Sequence, residues 1–520
     1  NVLREPHKSA ISFTEKVKIS MARNEFESFQ VVLFPIEKDI KCATWKASDL
    51  HSEKGDVIPA SDISIHVMGY MKARKPAIVS DSQWWPVPIL DFMDSVDAPR
   101  GEVQPLWVTI HTREETPPGL YAGTIEVKAK KLKSKKMALN VEVWDFAIPK
   151  EQHLLTVWGN VEQPYQAIYG ERYDKQMARR MMDFFIDHRL AVNTLYAHQA
   201  TGKPQANAFV GYPTLSDPTE LKRIWDAGSR WWNLGYIHPV FAKNAGKSMD
   251  EYVQDFLEML KESLRVADSA GFPRSNMTIY LFDETKDFNQ LADVAGKVKK
   301  AFPGIPLMTT GYDRSYGVKG GPIDDCIDIW CPLTPRFVED WEIIKQGRKL
   351  GKKVWWYVCC VPHGKNDLNF FCQFPAIRSR LLMGAAAWKY QPDGFLYYRV
   401  SGWREYKKPL DSGPLTDWKP YFLPGPDGDG ELICPGPNGP LSTLQFENIR
   451  DGLEDYEYWW ILNDLVTRSR EKGISVEKHA ELLQVPADLL ESLTVYSEDP
   501  VRLRENRSKV AEVILFLKDQ

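Results

Sequence analysis

The chain lacks what would send it into a membrane or onto nucleic acid. No stretch of its 520 residues approaches the ~20 consecutive apolar residues of a membrane span. Neither sign of charge dominates. The 66 Lys and Arg against 70 Asp and Glu leave a net charge of -4, with no basic footprint for nucleic acid and no basic amphipathic anchor for a bilayer. Cysteine is scarce. The seven (Cys42, Cys326, Cys331, Cys359, Cys360, Cys372 and Cys434) never take the paired CxxC spacing of a zinc site, and most read as buried small hydrophobes. The vicinal pair Cys359-Cys360, at a strand end, is a weaker candidate for a thiol nucleophile. Internal repeats and low-complexity tracts are absent as well. What the chain has in quantity is apolar and aromatic mass: 43% hydrophobic residues, with 18 Trp and 21 Tyr. A large core explains most of it, and stacking platforms for sugars are the sharper alternative. The start at Asn1, without Met, reads as a processed end from which an export signal was removed. That start leaves location open by itself; a secreted or periplasmic location is expected once it is joined to the function argued below.

Residues 1–150 are strand-like throughout. Phe29–Phe34, Ile63–Val67, Leu106–Ile110, Gly123–Val127 and Met137–Ile148 alternate or run apolar, with turn residues such as Pro117-Pro118-Gly119 between them. No long amphipathic helix interrupts them, which predicts a β-sandwich. After Pro149 strands alternate with helices, the pattern of parallel βα units. Eight strands are expected: Thr156–Asn160, Ala191–His198, Tyr236–Phe241, Thr278–Phe282, Pro306–Tyr312, Ile327–Leu333, Lys353–Cys360 and Gly394–Val400. Helices are expected at Asp174–His188, Met249–Ala270, Phe288–Ala301, Val338–Leu350 and Ala376–Lys389, with none evident between strands five and six. The expectation is a multidomain β plus α/β protein. An N-terminal β-sandwich (1–150) precedes a (β/α)8 TIM-like barrel (151–520) that includes C-terminal helices (446–520). Leu444–Arg468 reads as a long helix, with Tyr458, Ile461, Leu462 and Leu465 at helical spacing. The Gly- and Pro-rich 424–440 is a loop whose Asp427-Gly-Asp429-Gly-Glu431 loosely resembles a calcium loop but lacks EF-hand spacing.

Chemistry concentrates at Tyr280-Leu-Phe-Asp283-Glu284-Thr-Lys-Asp287. The apolar run Met277–Phe282 ends on two adjacent carboxylates, and the C-terminal ends of barrel strands are where catalytic groups stand. Neighbours on a regular strand point to opposite faces, so both acids serve one site only where the backbone turns. Sequence neighbours are poorly placed to flank a glycosidic bond from two sides. Substrate-assisted hydrolysis suits them better. There the substrate's 2-acetamido oxygen attacks the anomeric carbon to give an oxazoline. Asp283, ionised, would orient the acetamido group. Glu284, protonated at rest beside that negative charge, would act as general acid and then as base.

The same residues carry a family resemblance. The Asp283-Glu284 pair, Ala22–Gln30, Leu106–Thr109 with Pro118–Gly123, Val354–Tyr357, Gly394–Tyr398 and Arg450–Tyr458 together resemble glycoside hydrolase family 123, the β-N-acetylgalactosaminidases. The resemblance implies a sandwich followed by a barrel, Asp283 and Glu284 as catalytic residues, and retaining hydrolysis by neighbouring-group participation. It implies glycans ending in β-linked N-acetylgalactosamine (GalNAc) as substrates, with no metal and no cofactor. The chain departs from the family pattern at Tyr398, where Trp is expected, and at Val87 after Pro86, where an acid is expected. The acids of Arg450–Tyr458, on a helix beyond the barrel, read as structural, and Arg23–Glu27 as holding the sandwich together.

Barrel geometry adds substrate-binding candidates at strand ends and in the loops after them: Asn160, His198, Tyr312, Trp330, Trp356, Tyr357, Tyr398 and Trp403. Aromatic faces would stack on a pyranose and hydroxyls would bond it, with Tyr312 and Tyr398 the preferred hydroxyls. Three alternatives stay open. A metal-dependent hydrolase would use His198, His238 and Asp283, although HxH and HExxH spacings are missing. A non-catalytic glycan-binding protein would keep the fold without the chemistry. A glycosidase of the same mechanism could act on another N-acetylhexosamine. Oligomeric state is not legible.

Overall fold

The computed structural model describes the 520-residue chain apart from residues 1, 5–13, 75–77, 79–81, 191, 194, 196–217, 319 and 423. The N-terminal part is built from β1 (Lys16–Arg23), β2 (Glu25–Leu33), β3 (Ile40–Ala47), β4 (Leu50–Ser52), β5 (Val57–Ile58), β6 (Ile63–Lys72), β7 (Trp84–Leu90), β8 (Val96–Ala98), β9 (Gln104–Thr112), β10 (Gly119–Lys128) and β11 (Lys135–Ala147). They form two sheets. One runs β1-β11-β10-β3-β8 with β4 and β5 attached, and the other is the antiparallel β2-β9-β6-β7. Met21, Leu106, Val108, Ile110 and Leu139 are buried in one continuous core, as expected of sheets with an apolar inner face.

Parallel strands follow: β12 (Thr156–Gly159), β13 (Val192–Asn193), β14 (Trp232–Ile237), β15 (Met277–Leu281), β16 (Leu307–Thr309), β17 (Ile329–Trp330), β18 (Lys353–Val354), β19 (Trp356–Val358) and β20 (Phe395–Tyr397). Their pairings are all parallel. Only Trp355 separates β18 from β19. The sheet order is therefore β13-β12-β20-β19, continuing through β18-β17-β16-β15-β14. Every residue of β14 and β15 is buried, as strands covered on both faces require. Among the described residues no pairing joins β13 to β14, so the sheet is a curled half-barrel rather than a closed ring.

Most elements stand where the sequence placed them and two do not, while the strand expected at Ala191–His198 lies outside the described residues apart from Val192, Asn193 and Leu195. The third parallel strand runs Trp232–Ile237 rather than Tyr236–Phe241, because Pro239 starts a short helix, Pro239–Asn244, in which the Val240 N–H donates to His238 Nδ1 (3.2 Å). The helix expected at Val338–Leu350 is two, Thr334–Glu339 and Trp341–Lys349. They part at Asp340, whose carboxylate accepts from Arg314 and from the Tyr316 hydroxyl (2.8 Å).

The long helix Leu444–Glu471 packs between sandwich strands β2 and β7 and the helical segment Ile377–Tyr390. Its acids are structural, as the sequence indicated. Arg380 donates to Asp455 (2.6 and 2.9 Å) and Glu27 (3.2 Å), Arg189 to Glu454 (3.2 Å), and Arg507 of the C-terminal helix Pro500–Lys518 to Glu25 (2.5 Å) and Glu27. Glu25 and Glu27 thus do more than hold the sandwich: they tie it to the C-terminal helix through Arg507 and to the long helix through the Tyr458 hydroxyl, which donates to Glu25 (2.7 Å). Gly452 lets the helices meet, because a Cβ there would lie 2.6 Å from the Arg380 carbonyl oxygen.

Candidate active site

Two left-handed residues bracket Asp283. Phe282 has φ +46° and Glu284 has φ +47°, a conformation that L-residues adopt at a cost of about 1–3 kcal/mol. The strand alternation ends there, and the two carboxyls are held by separate sets of hydroxyls. Asp283 Oδ1 accepts from the Tyr280 hydroxyl (2.5 Å) and from Thr310 Oγ1 (2.8 Å). Glu284 Oε1 accepts from the Tyr357 hydroxyl (2.6 Å), and its backbone N–H donates to Thr310 Oγ1 (3.0 Å). Thr310, just past β16, therefore ties both acids together. Tyr357, on β19, lies three strands from β15, about 14 Å along a flat sheet at ~4.8 Å per strand. Its direct bond to Glu284 shows how strongly the sheet curls.

Surroundings reinforce this arrangement. The Tyr236 ring stacks on Tyr280, with centroids 4.9 Å apart, and His238 lies over Phe282 at 5.8 Å. Burial holds the His238 imidazole below its ordinary value, while the nearby Asp283 pulls the other way. The Tyr357 phenol is pushed far up, first by burial and then by the Glu284 charge. Tyr312 is raised by burial and by the Glu284 carboxyl near it. Beyond these tyrosines opens a cavity of about 380 Å³, whose walls include Thr310, Tyr312, Tyr357, Lys286, Arg314 and Arg336.

Of the residues expected at the site, Asp283, Glu284, Tyr312 and Tyr357 come together. Trp330 is buried in β17 and reaches the cavity wall through its indole N–H, which donates to Asp313 Oδ1 (3.2 Å). Trp356 is not brought to the acids: its ring packs against Phe337 and Tyr390, on the helix-facing side of the sheet. Alternation decides this, since its neighbour Tyr357 points the other way. Trp403 packs on Tyr165 and donates to the Ile433 carbonyl (2.8 Å). Asn160 Oδ1 accepts from the hydroxyls of Tyr165 (2.7 Å) and Ser401 (2.8 Å), leaving its buried Nδ2 unbonded. Tyr398 follows β20 and faces Asp429. His198 lies outside the described residues.

The loop read as a loose calcium motif is taken apart. Asp427 accepts from Arg74 of the sandwich (2.5 and 2.8 Å) and from Gln373 (3.2 Å). Glu431 is buried beside the backbone of residues 402–404, with no hydrogen bond closing on either carboxyl oxygen. Among the described residues no three His, Cys, Asp or Glu gather as metal ligands. The supporting roles of Tyr280, Thr310 and His238 escaped the sequence reading. Tyr280 and Thr310 do carry a signal, being hydroxyl residues at the ends of adjacent parallel strands.

Comparison with known proteins fixes the family. Residues 235–462 match the catalytic-domain model of glycoside hydrolase 123, and residues 6–129 match the model of its N-terminal domain. The chain belongs to glycoside hydrolase family 123. It is similar over 97% of its length, and 94% of the other chain's, to a solved family 123 glycoside hydrolase from Clostridium perfringens, at 15% identity and a TM-score of 0.66. A family 39 glycoside hydrolase from Bacteroides cellulosilyticus WH2 aligns over 75% of this chain and 77% of its own, at 13% identity and a TM-score of 0.37. No curated protein matches. As a family 123 member the chain is a glycosidase, and Asp283 and Glu284 lie within the segment matched to the family's catalytic domain.

Proposed function

We propose that this glycoside hydrolase removes terminal β-linked GalNAc from glycans with retention, using the substrate's 2-acetamido group as nucleophile. The observation that carries the reading is the pair of left-handed residues around Asp283, which lets adjacent carboxyls work at one sheet end with separate hydroxyl partners. Two carboxyls acting across a sugar usually stand ~5–5.5 Å or ~6.5–9.5 Å apart, from different strands. Adjacent acids divide the labour differently. Asp283, fixed by Tyr280 and Thr310, would accept the acetamido N–H and stabilise the oxazolinium as it forms. Glu284, held by Tyr357, would protonate the leaving oxygen and then deprotonate water. The cavity bordered by Tyr312 and Tyr357 lies beside Glu284, where a leaving aglycone belongs.

The strand order is that of a (β/α)8 barrel opened between its second and third strands, and a closed barrel is part of this reading. The clostridial neighbour is described in terms of glycolipid glycan hydrolysis, so a glycolipid glycan is a substrate class to try. The test is a panel of aryl β-glycosides with a thiazoline inhibitor. Cleavage of the GalNAc glycoside, inhibition by the thiazoline and inertness of the analogue lacking the acetamido group are expected. Equal turnover of that analogue would refute neighbouring-group participation.

A further inference from the structure

Asp429 is a buried acid without a counter-charge, and it stands at the same end of the parallel sheet as the catalytic pair. It is 1% exposed. Among the described residues no arginine or lysine pairs with it. The Tyr397 and Tyr398 hydroxyls face it, yet no hydrogen bond of ordinary geometry closes on either carboxyl oxygen or on the Tyr398 hydroxyl. The loop that carries it is fastened at Asp427, by the Arg74–Asp427 pair and by the Cys372 N–H donating to the Asp427 carbonyl (2.7 Å). A Cβ added to Gly425 would lie 3.2 Å from Cys360 Cβ and 3.9 Å from Asp429 Oδ2, and one on Gly430 would lie 2.6 Å from the Tyr398 hydroxyl. The carboxyl is thus wedged between the ends of β19 and β20. Burial, then the charge of Cys360, hold it up at about 7. A bare carboxyl in such a place costs several kcal/mol unless a partner meets it. Glu27, Glu454 and Asp455 have arginines for that partner. Asp429 has none among the described residues, and a hydroxyl of a bound sugar would supply one.

The direction from which they come follows from the sugar. If Asp283 holds the acetamido group on C2 and Glu284 the oxygen on C1, that edge of the pyranose faces β15. The C4 edge lies across the ring, pointing away. In the sheet order β20 is the fourth strand from β15, and the curl that brings Tyr357 to Glu284 turns β20 to face it. Cys360, after β19, stands between them: its thiol feels the charge of Glu284, and Asp429 feels the charge of Cys360.

We propose that Asp429, with Tyr398 beside it, is the group that reads the C4 hydroxyl of the non-reducing sugar and so sets the preference between galacto and gluco configurations. This rests on the glycosidase reading above. A carboxylate that accepts a hydroxyl proton in a dry site discriminates strongly, because the wrong epimer leaves it unpaired.

The test compares three aryl β-glycosides, GalNAc, its C4 epimer GlcNAc and 4-deoxy-GalNAc, with wild type, Asp429→Asn and Tyr398→Phe. Wild type should lose about 100-fold in kcat/KM on the 4-deoxy substrate. In Asp429→Asn the same deletion should cost less than about 5-fold, and the GalNAc/GlcNAc ratio should collapse towards unity. Tyr398→Phe should lie between. Each penalty is a ratio within one enzyme, so a partly unfolded variant does not obscure it. An equal 4-deoxy penalty in wild type and Asp429→Asn overturns the assignment while leaving the glycosidase intact. A wild type that cleaves none of the three overturns the parent reading.

Discussion

Where the sandwich meets the long helix, Glu25, Glu27, Asp451, Glu454 and Asp455 are buried against Arg189, Arg380, Arg450 and Arg507. At the end of the parallel sheet, Asp283 and Glu284 are met instead by the hydroxyls of Tyr280, Thr310 and Tyr357. The chemistry of the company differs with the task. Against the cost of burial, Arg380 and Arg507 hold Glu27 far below the ordinary carboxylate range, which fixes its charge and makes it a strut. A hydroxyl donor orients a carboxyl without pinning its charge, so the proton can still move. Glu25 and Glu454 show the tension inside the arginine network: burial lifts them to about 7 and about 8 despite their guanidinium neighbours.

Breaking the hydroxyl-held pair should give the largest effect. Glu284→Gln should lower kcat by about 10²–10⁴-fold on glycosides with poor leaving groups and much less on activated aryl glycosides. Asp283→Asn should impair both classes, because it disables the internal nucleophile. Steady-state kinetics on the two classes separate these outcomes, and equal losses everywhere for Glu284→Gln would remove it as the acid.

On the other side of the comparison, Arg380→Leu leaves Glu27 and Asp455 without their shared guanidinium. It should cost about 3–5 kcal/mol of stability, read by denaturant unfolding, while kcat of the folded fraction stays unchanged. A large fall in kcat with little loss of stability would reverse the roles assigned to the two sets.

Tyr357→Phe tests whether orientation by a hydroxyl matters. Loss of one hydrogen bond to a charged group corresponds to about 1.5–3 kcal/mol, or roughly a 10- to 100-fold fall in kcat, with the melting temperature nearly unmoved.

The smallest effect concerns Glu162, which burial raises from 4.5 to about 8 against the opposing pull of the Tyr173 hydroxyl. Between those values the folded chain holds a proton that the unfolded chain has released. Its contribution is therefore fully present below pH 4.5 and is lost as pH rises through 8. Glu162→Gln should flatten the decline in stability between pH 5 and 8 by about 1–2 kcal/mol, measured by urea unfolding at both pH values. An unchanged slope would place the decline elsewhere.

How far the site could be read in advance varied by residue. Asp283 and Glu284 announced themselves as charges closing an apolar run, and Tyr357 as a hydroxyl at another strand end. Trp356 looked as good as Tyr357, but parity along the strand sends neighbours to opposite faces, and the register that chooses the face is set by pairing with β20. Thr310 and Tyr280 were inconspicuous because one hydroxyl among many has no signature until a neighbour lies within 3 Å. Asp429 was read in the wrong company, as one of three loop acids. The fold separates the three, giving Asp427 an arginine from the sandwich and burying Asp429 and Glu431 with no hydrogen bond closing on either carboxyl.

By itself the sequence determined the local matters: which segments are strands or helices, that sandwich-like strands precede βα units, and where two acids end a buried strand. Periodicity, turn residues and chain punctuation act over a few residues, so they are written in order along the chain. The tertiary structure alone decided which hydroxyl serves which carboxyl, which acids receive arginines, and that Tyr357 and Glu284, 73 residues apart, meet across the curl of the sheet. Those outcomes depend on the summed twist of many strands and on contacts between distant segments, which no local stretch of sequence specifies.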